Sequence, residues 1–322
     1  MGRDGIELAL DQRLRGRAEE IRGLRDRAGR LIFAEGIQDE AALAGHNVHL
    51  TIDQGIQFIA ERELMAALQT HEAKGGSVVV VDPSTGEILA LASSPGYNPN
   101  DYNVSESADR RNRAAMDLFE PGSTMKVFSM AAALSGSTIK PDEQIYCEEG
   151  HMPIDNVVIH DTHVSKWLSP TEVLQYSSNI GIAKIPLGRG ERGLYEAYRR
   201  FGFGERPGLP LAGETAGTLR PRGRPWVPVE SAAAAFGQGV SVSNIQLAMA
   251  MSAGANQGPL LEPILVKKIT DSTGVVLTEA SPKLRRRVVS PRVARLVTEM
   301  LSSVTEGEGT RVEAAVPGFR AA

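Results

Sequence analysis

One cysteine, Cys147, stands in 322 residues, so no internal disulfide framework can hold the chain together. No run reaches the ~18 consecutive apolar residues that a membrane-spanning helix needs. The opening stretch MGRDGIELALDQRLRGRAEE has no apolar segment of the kind a secretion signal carries. MGRDGI also lacks the Ser or Thr of a myristoylation signal. A basic excess is missing too: 35 Lys and Arg face 39 Asp and Glu, a net charge of −4, which argues against a nucleic-acid binder. What is present is ordinary, with 42% hydrophobic and 23% charged residues. That composition fits a soluble, untargeted globular protein long enough to bury a full core.

Residues 3–36 are rich in Arg and Glu and predict a surface helix followed by the extended RLIFAEG. From His46 the pattern changes. HNVHLTID alternates like a strand, and DQGIQFIAERELMAALQTHEAK has a helical apolar period with Asp53 as N-cap. GSVVVVD predicts a buried strand, DPSTGE a turn and ILALASS its partner strand. Residues 94–118 are polar and turn-rich, and 141–170 are predicted to be mostly loop. PTEVLQYSSNIGIAKI reads as helix, break, helix, and 201–230 as a Gly- and Pro-dense loop region. A long apolar helix, two strands and a last helix from SPRVARLVTEM complete the chain. No internal repeat is present. The expected class is α+β, an antiparallel sheet flanked by helices.

FEPGSTMKVFSMAAAL, residues 119–134, carries the chemistry. Lys126 is the only charge between Pro121 and Ile139. Pro121-Gly122 breaks the chain, so a helix is predicted to begin at or near Ser123. Residues three apart share a helical face, which points Ser123 and Lys126 into the same space. A cation there opposes the helix dipole and loses solvation, and both effects favour the neutral amine. A neutral amine beside a serine hydroxyl can take its proton and make it a nucleophile. The competing reading is a lysine that snorkels to the surface. Ser137-Thr138-Ile139-Lys140 has the same spacing but runs into Pro141-Asp142, a polar loop, and is given no role.

A second signal is Ser177-Ser178-Asn179, the only Ser-x-Asn of the chain, in the predicted break between two helices. A serine and an amide there could relay a proton and hydrogen-bond a substrate amide. Taken alone, they could equally cap a helix. Together these residues resemble the serine acyl-transferases of the penicillin-binding protein and β-lactamase superfamily, with motifs S-x-x-K, S-x-N and K-T-G. VVVVDPSTGEILALASSPGYNPN, FEPGSTMK, LQYSSNIGIAK and FGQGVSVSNIQLAMAMSAGANQG look like successive blocks of a class B penicillin-binding protein. EPGST with SSN is similar to the division-specific septal type. The resemblance spans 46–322 as the transpeptidase domain, and residues 1–45 resemble the end of that family's pedestal domain.

The resemblance implies that Ser123 attacks the D-alanyl-D-alanine bond of a peptidoglycan stem peptide. Lys126 would be the base, Ser177 the proton relay and Asn179 the holder of the substrate amide. β-Lactams would acylate the same serine. No cofactor or metal is implied. The partners would be stem peptides and division proteins of the membrane, with the parent protein at the inner membrane and this domain in the periplasm. No lysine here precedes Ser or Thr and then Gly. The third motif is therefore absent, and the chain is expected to be an internal fragment of little activity. The alternatives are a β-lactamase or penicillin-sensing domain, and a non-catalytic division scaffold.

Other patterns carry less. GRGERG (188–193) fits a dinucleotide pattern but follows a helix-like segment rather than a strand. His160-Asp161-Thr162-His163 lacks the companions of a metal or triad site and predicts polar loop residues. Arg220, Arg222 and Arg224 predict a solvated loop, and Phe203 and Trp226 packing positions.

Overall fold

The computed structural model describes residues 2–16, 22–35, 43–187, 191–219, 226–306 and 309–322. Helices and strands are mixed along the chain, and the named strand pairs are antiparallel, as α+β requires. Gly76–Val81 and Ile88–Ser94 form a hairpin around the DPSTGE turn, where Gly86 takes φ 79°. Successive side chains of a strand face opposite ways. Val78, Val80, Ala90 and Ala92 therefore meet Ala60 and Leu64 of the Gln54–Thr70 helix. Val79, Val81 and Leu91 point to the opposite face, against the main core. Asp53 caps that helix as expected, accepting from the Ile56 N–H at 3.0 Å.

The main core surrounds the Met125–Ser135 helix. Its neighbours are the helices Pro170–Gln175, Asn179–Leu187, Glu191–Arg200, Pro228–Ala235 and Pro291–Ser302. Phe128 lies edge-on to Phe201 and Phe203, with ring centroids 4.9 Å away in both cases. Ser129 satisfies its buried hydroxyl on Tyr198 (2.7 Å) and the Ala235 carbonyl (2.8 Å). Phe203 and Trp226 are buried, as their packing role requires. Asn47–Leu50 pairs with Val266–Thr270, which pairs in turn with Val276–Glu279. The Thr51 hydroxyl bonds the carbonyls of Ile88 (2.7 Å) and Ile264 (2.9 Å), tying this sheet to the hairpin.

The structure departs from the sequence reading in several places, and beyond the two strands expected near the end of the chain it adds the antiparallel pair Pro259–Leu261/Leu284–Arg287. The N-terminal piece is two short helices, Gly5–Ala9 and Asp11–Leu14, then the hairpin Arg22–Arg25/Leu31–Glu35, instead of one surface helix. Leu10, at φ −113°, ends one helix and starts the next, and Arg15 is already extended. Gly76–Val81 is half-buried along its length rather than buried. Among the described residues its one strand neighbour is Ile88–Ser94. The 141–170 stretch contains Ile145–Tyr146 paired with Trp167–Leu168, and the hairpin His151–Ile154/Val157–His160. Those strands are two to four residues long and expose much of one face, too little for an alternation to stand out. Finally, Asp161 is a polar loop residue as expected, but a buried one. Arg220, Arg222, Arg224 and Gly188–Gly190 lie outside the described residues.

Candidate active site

Ser123 sits in a 3-10 turn, Gly122–Thr124, that feeds directly into the Met125–Ser135 helix. The turn is held from outside. Phe119 and Val242 exchange main-chain hydrogen bonds at 3.1 and 2.9 Å, and the Glu120 carboxylate accepts the Gly239 N–H at 2.9 Å. Gly122 N–H donates to the Gly237 carbonyl at 3.3 Å. A Cβ at Gly237 would lie 2.2 Å from the Gly122 oxygen, so only glycine admits this approach. The Ser123 side chain is exposed, and among the described residues its hydroxyl makes no hydrogen bond.

Lys126, in the first turn of the helix, is 2% exposed and does not snorkel. Its Nζ donates to Ser177 Oγ at 2.9 Å and to the Ser177 carbonyl at 2.5 Å. Burial pulls its pKa from 10.5 down to about 8, while the Asp161 carboxylate pushes the other way. That shift raises the neutral fraction near pH 7 roughly 300-fold, to about one molecule in ten.

Ser177 owes its pose to the way the Pro170–Gln175 helix ends. Its N–H donates to Leu174 O at 3.1 Å, and the Ser178 N–H to Val173 O at 2.9 Å. This is a Schellman ending, whose left-handed position is ordinarily glycine. Here Ser177 holds it, at φ 54°. For a residue with a side chain that conformation costs on the order of 1–3 kcal/mol. In return, both oxygens of Ser177 turn toward Lys126. Ser178 then caps the Asn179–Leu187 helix, its Oγ accepting the Gly181 N–H at 2.8 Å.

Asp161 closes this cluster. Its carboxylate accepts from Ser178 Oγ (2.5 Å), Asn179 N–H (2.5 Å) and Ile180 N–H (3.1 Å). The preceding residue, His160, accepts the Asn179 side-chain amide on its carbonyl at 2.9 Å. The structure thus brings Lys126, Ser177 and Asn179 into one cluster, with Ser123 a helical turn away. Sequence reasoning missed Asp161, Glu120 and Gly237. Asp161 lies 17 residues from Ser178, and no local pattern links them. The decoy pair stays apart from the cluster: Ser137 lies beyond the helix end and Lys140 is exposed. Among the described residues no group of His, Cys, Asp and Glu is placed to hold a metal ion. Nor is any helix long and apolar enough to cross a membrane.

Residues 76–322 match the family described as "Penicillin binding protein transpeptidase domain". The "Probable peptidoglycan D,D-transpeptidase PenA" of Neisseria meningitidis is 37% identical over 319 residues, 99% of this chain and 52% of that protein. The "Peptidoglycan D,D-transpeptidase FtsI" of Escherichia coli is 35% identical over 325 residues, 100% of this chain and 52% of that protein. The chain therefore spans about half the length of these curated relatives. The solved apo structure of the TP domain from Burkholderia pseudomallei penicillin-binding protein 3 superposes with a TM-score of 0.73. It is 36% identical, covering 84% of this chain and 74% of that one. A match along most of the chain, in sequence and in fold, gives the affiliation: the chain belongs to the penicillin-binding protein transpeptidase family.

Proposed function

We propose that this chain is the catalytic part of a serine D,D-transpeptidase that cross-links peptidoglycan stem peptides through an acyl-serine, in septal wall synthesis. The observation that carries the reading is Lys126, buried one turn after Ser123, bonded to Ser177 and depressed to about 8. Neutral Lys126 takes the Ser123 hydroxyl proton as Oγ attacks the carbonyl carbon of the D-Ala–D-Ala bond. The Ser123 N–H offers one donor to the oxyanion that forms. As the C–N bond breaks, a proton passes from the Lys126 ammonium by way of the Ser177 hydroxyl to the departing amine, and D-alanine leaves. Asn179 keeps one amide hydrogen and its carbonyl for the substrate, since its other N–H holds His160. The amine of a neighbouring stem peptide then attacks the ester, forms the cross-link and returns the proton to Ser123.

β-Lactams place a strained amide at the same serine and acylate it. Division proteins of the inner membrane are the proposed partners, with this domain on the periplasmic side. The blocks EPGST and SSN support the septal assignment. The test uses the full-length protein with a peptide ending in D-Ala–D-Ala and an acceptor peptide bearing a free amine. D-alanine release and a cross-linked product are expected from the wild type and neither from Ser123→Ala. Release that survives loss of Ser123 would sink the reading, and release without any cross-link would make the protein a hydrolase.

A further inference from the structure

We propose that Ser129 and Tyr198 are positioning residues for acylation: their paired hydroxyls fix the end of the Pro228–Ala235 helix and, through Gly237, the turn that presents Ser123. The inference rests on the transpeptidase reading above. Ser129 lies on the Met125–Ser135 helix, six residues after Ser123, and Tyr198 on the Glu191–Arg200 helix. Both are fully buried, and the Tyr198 ring stands edge-on to Phe203 at 6.1 Å. A hydroxyl in such a core is costly unless it is bonded. The Tyr198 hydroxyl donates to the Ala234 carbonyl at 2.8 Å and the Ser129 hydroxyl to the Ala235 carbonyl at 2.8 Å. The two oxygens lie 2.7 Å apart. Two protons serve these three contacts, so each hydroxyl relies on the other as well as on a carbonyl. Burial pushes the Tyr198 phenol well above its ordinary value, so it keeps its proton.

Those two carbonyls end their helix, where no further turn supplies N–H partners. The helix closes in a Schellman motif, with Gly237 N–H returning to Ala234 O at 3.1 Å and Gln238 N–H to Ala233 O at 3.0 Å. Gly237 takes the left-handed position, at φ 82°. Ala234 O therefore receives both the Tyr198 hydroxyl and the Gly237 N–H. The Gly237 carbonyl in turn accepts the Gly122 N–H at 3.3 Å. Gly122, itself at φ 56°, sets the direction in which the chain enters Ser123. A continuous chain of bonds runs from the buried pair to the turn of the nucleophile.

A pair that merely satisfied its own burial would look alike within the core, and the difference lies at Gly237. A Cβ added there would lie 2.2 Å from the Gly122 oxygen and 2.7 Å from its nitrogen. A shift of the helix end has no slack to disappear into before it reaches Gly122, because close-packed interiors transmit strain. Tyr198→Phe keeps the ring and removes only its hydroxyl, and Ser129→Ala removes the other. Either loss takes one bond from the helix end and a partner from the remaining hydroxyl. Misplacing a nucleophile by a fraction of an ångström then lowers the rate of the chemical step rather than the binding that precedes it.

The experiment measures acylation of the full-length protein against benzylpenicillin concentration for wild type, Tyr198→Phe, Ser129→Ala and the double variant. The concentration series separates the limiting acylation rate from the non-covalent binding constant. Hydrogen–deuterium exchange of the penicillin-free protein, read by mass spectrometry, follows residues 119–123 and 236–242. The expected result is a limiting rate at least ~10-fold lower in each single variant, with the binding constant unchanged. The double variant should be no slower than the slower single one, because the two hydroxyls act as a unit; losses that multiply would overturn that joint action. Exchange should rise in 119–123 and 236–242 and stay at its wild-type level in the hairpin Gly76–Val81/Ile88–Ser94. A wild-type limiting rate, or unchanged exchange in those two segments, overturns the proposal and leaves the pair a core contact that moves only the melting temperature. If Tyr198→Phe does not fold, Ser129→Ala decides on the same two readings. If penicillin never acylates the wild type while exchange in both segments still rises in the variants, the transpeptidase reading falls and the hold on the Ser123 turn stands.

Discussion

A lysine removed from water loses the solvation that holds its proton, and Lys126 has only Ser177 and the Asp161 charge in exchange. Two expectations belong to this one residue. Lys126→Arg keeps the cation, but a guanidinium stays protonated, so penicillin acylation should fall at least ~10²-fold. A near wild-type rate would mean that the lysine only fills space. The second expectation concerns stability. The folded pKa is lowered, from 10.5 to about 8, so unfolding takes up a proton between those values. The burial penalty is complete below pH 8 and relieved as pH rises toward 10.5. At ~1.4 kcal/mol per unit, wild type should gain about 2–3 kcal/mol on Lys126→Met between pH 7 and 10. Urea unfolding at both pH values measures it, and a constant difference would contradict the shift. Ser123 and Lys126 were legible because a lone charge in an apolar helix breaks its pattern. Asp161 was not, because its burial depends on donors from a segment 17 residues away.

At the scale of elements, the site is built where helices start and stop. The helix–break–helix of 170–187 could be read from sequence, but not that the break would be a Schellman ending with serine in glycine's place. Its packing is tight: a Cβ on Gly181 would meet Val173 Cγ2 at 2.5 Å and Ser178 Oγ at 3.1 Å. Val173 is fully buried and cannot swing aside. Gly181→Ala should therefore destabilise the fold by about 1–3 kcal/mol, read by urea unfolding. It should also slow acylation, since the displaced Ser178 sits next to Ser177. Unchanged stability would show that the break has slack. The short strands of 145–168 escaped the sequence reading because only one residue in each carries the burial signal.

For the molecule as a whole, the order of blocks along the chain was enough to read the α+β class and the hairpin under the Gln54–Thr70 helix. What order cannot show is which distant loop closes the site. Glu120 reaches Gly239 across 119 residues, and Thr51 reaches Ile264 across 213. Those contacts set the turn that presents Ser123 and tie the hairpin to the outer sheet. The central claim is that this assembly exists to make Ser123 a nucleophile, and one measurement addresses it directly. The full-length protein is incubated with benzylpenicillin and its peptides are mapped by mass spectrometry. A single penicilloyl adduct on Ser123 is expected, lost in Ser123→Ala and kept in Ser137→Ala. An adduct on any other residue, or one that persists without Ser123, would contradict the account.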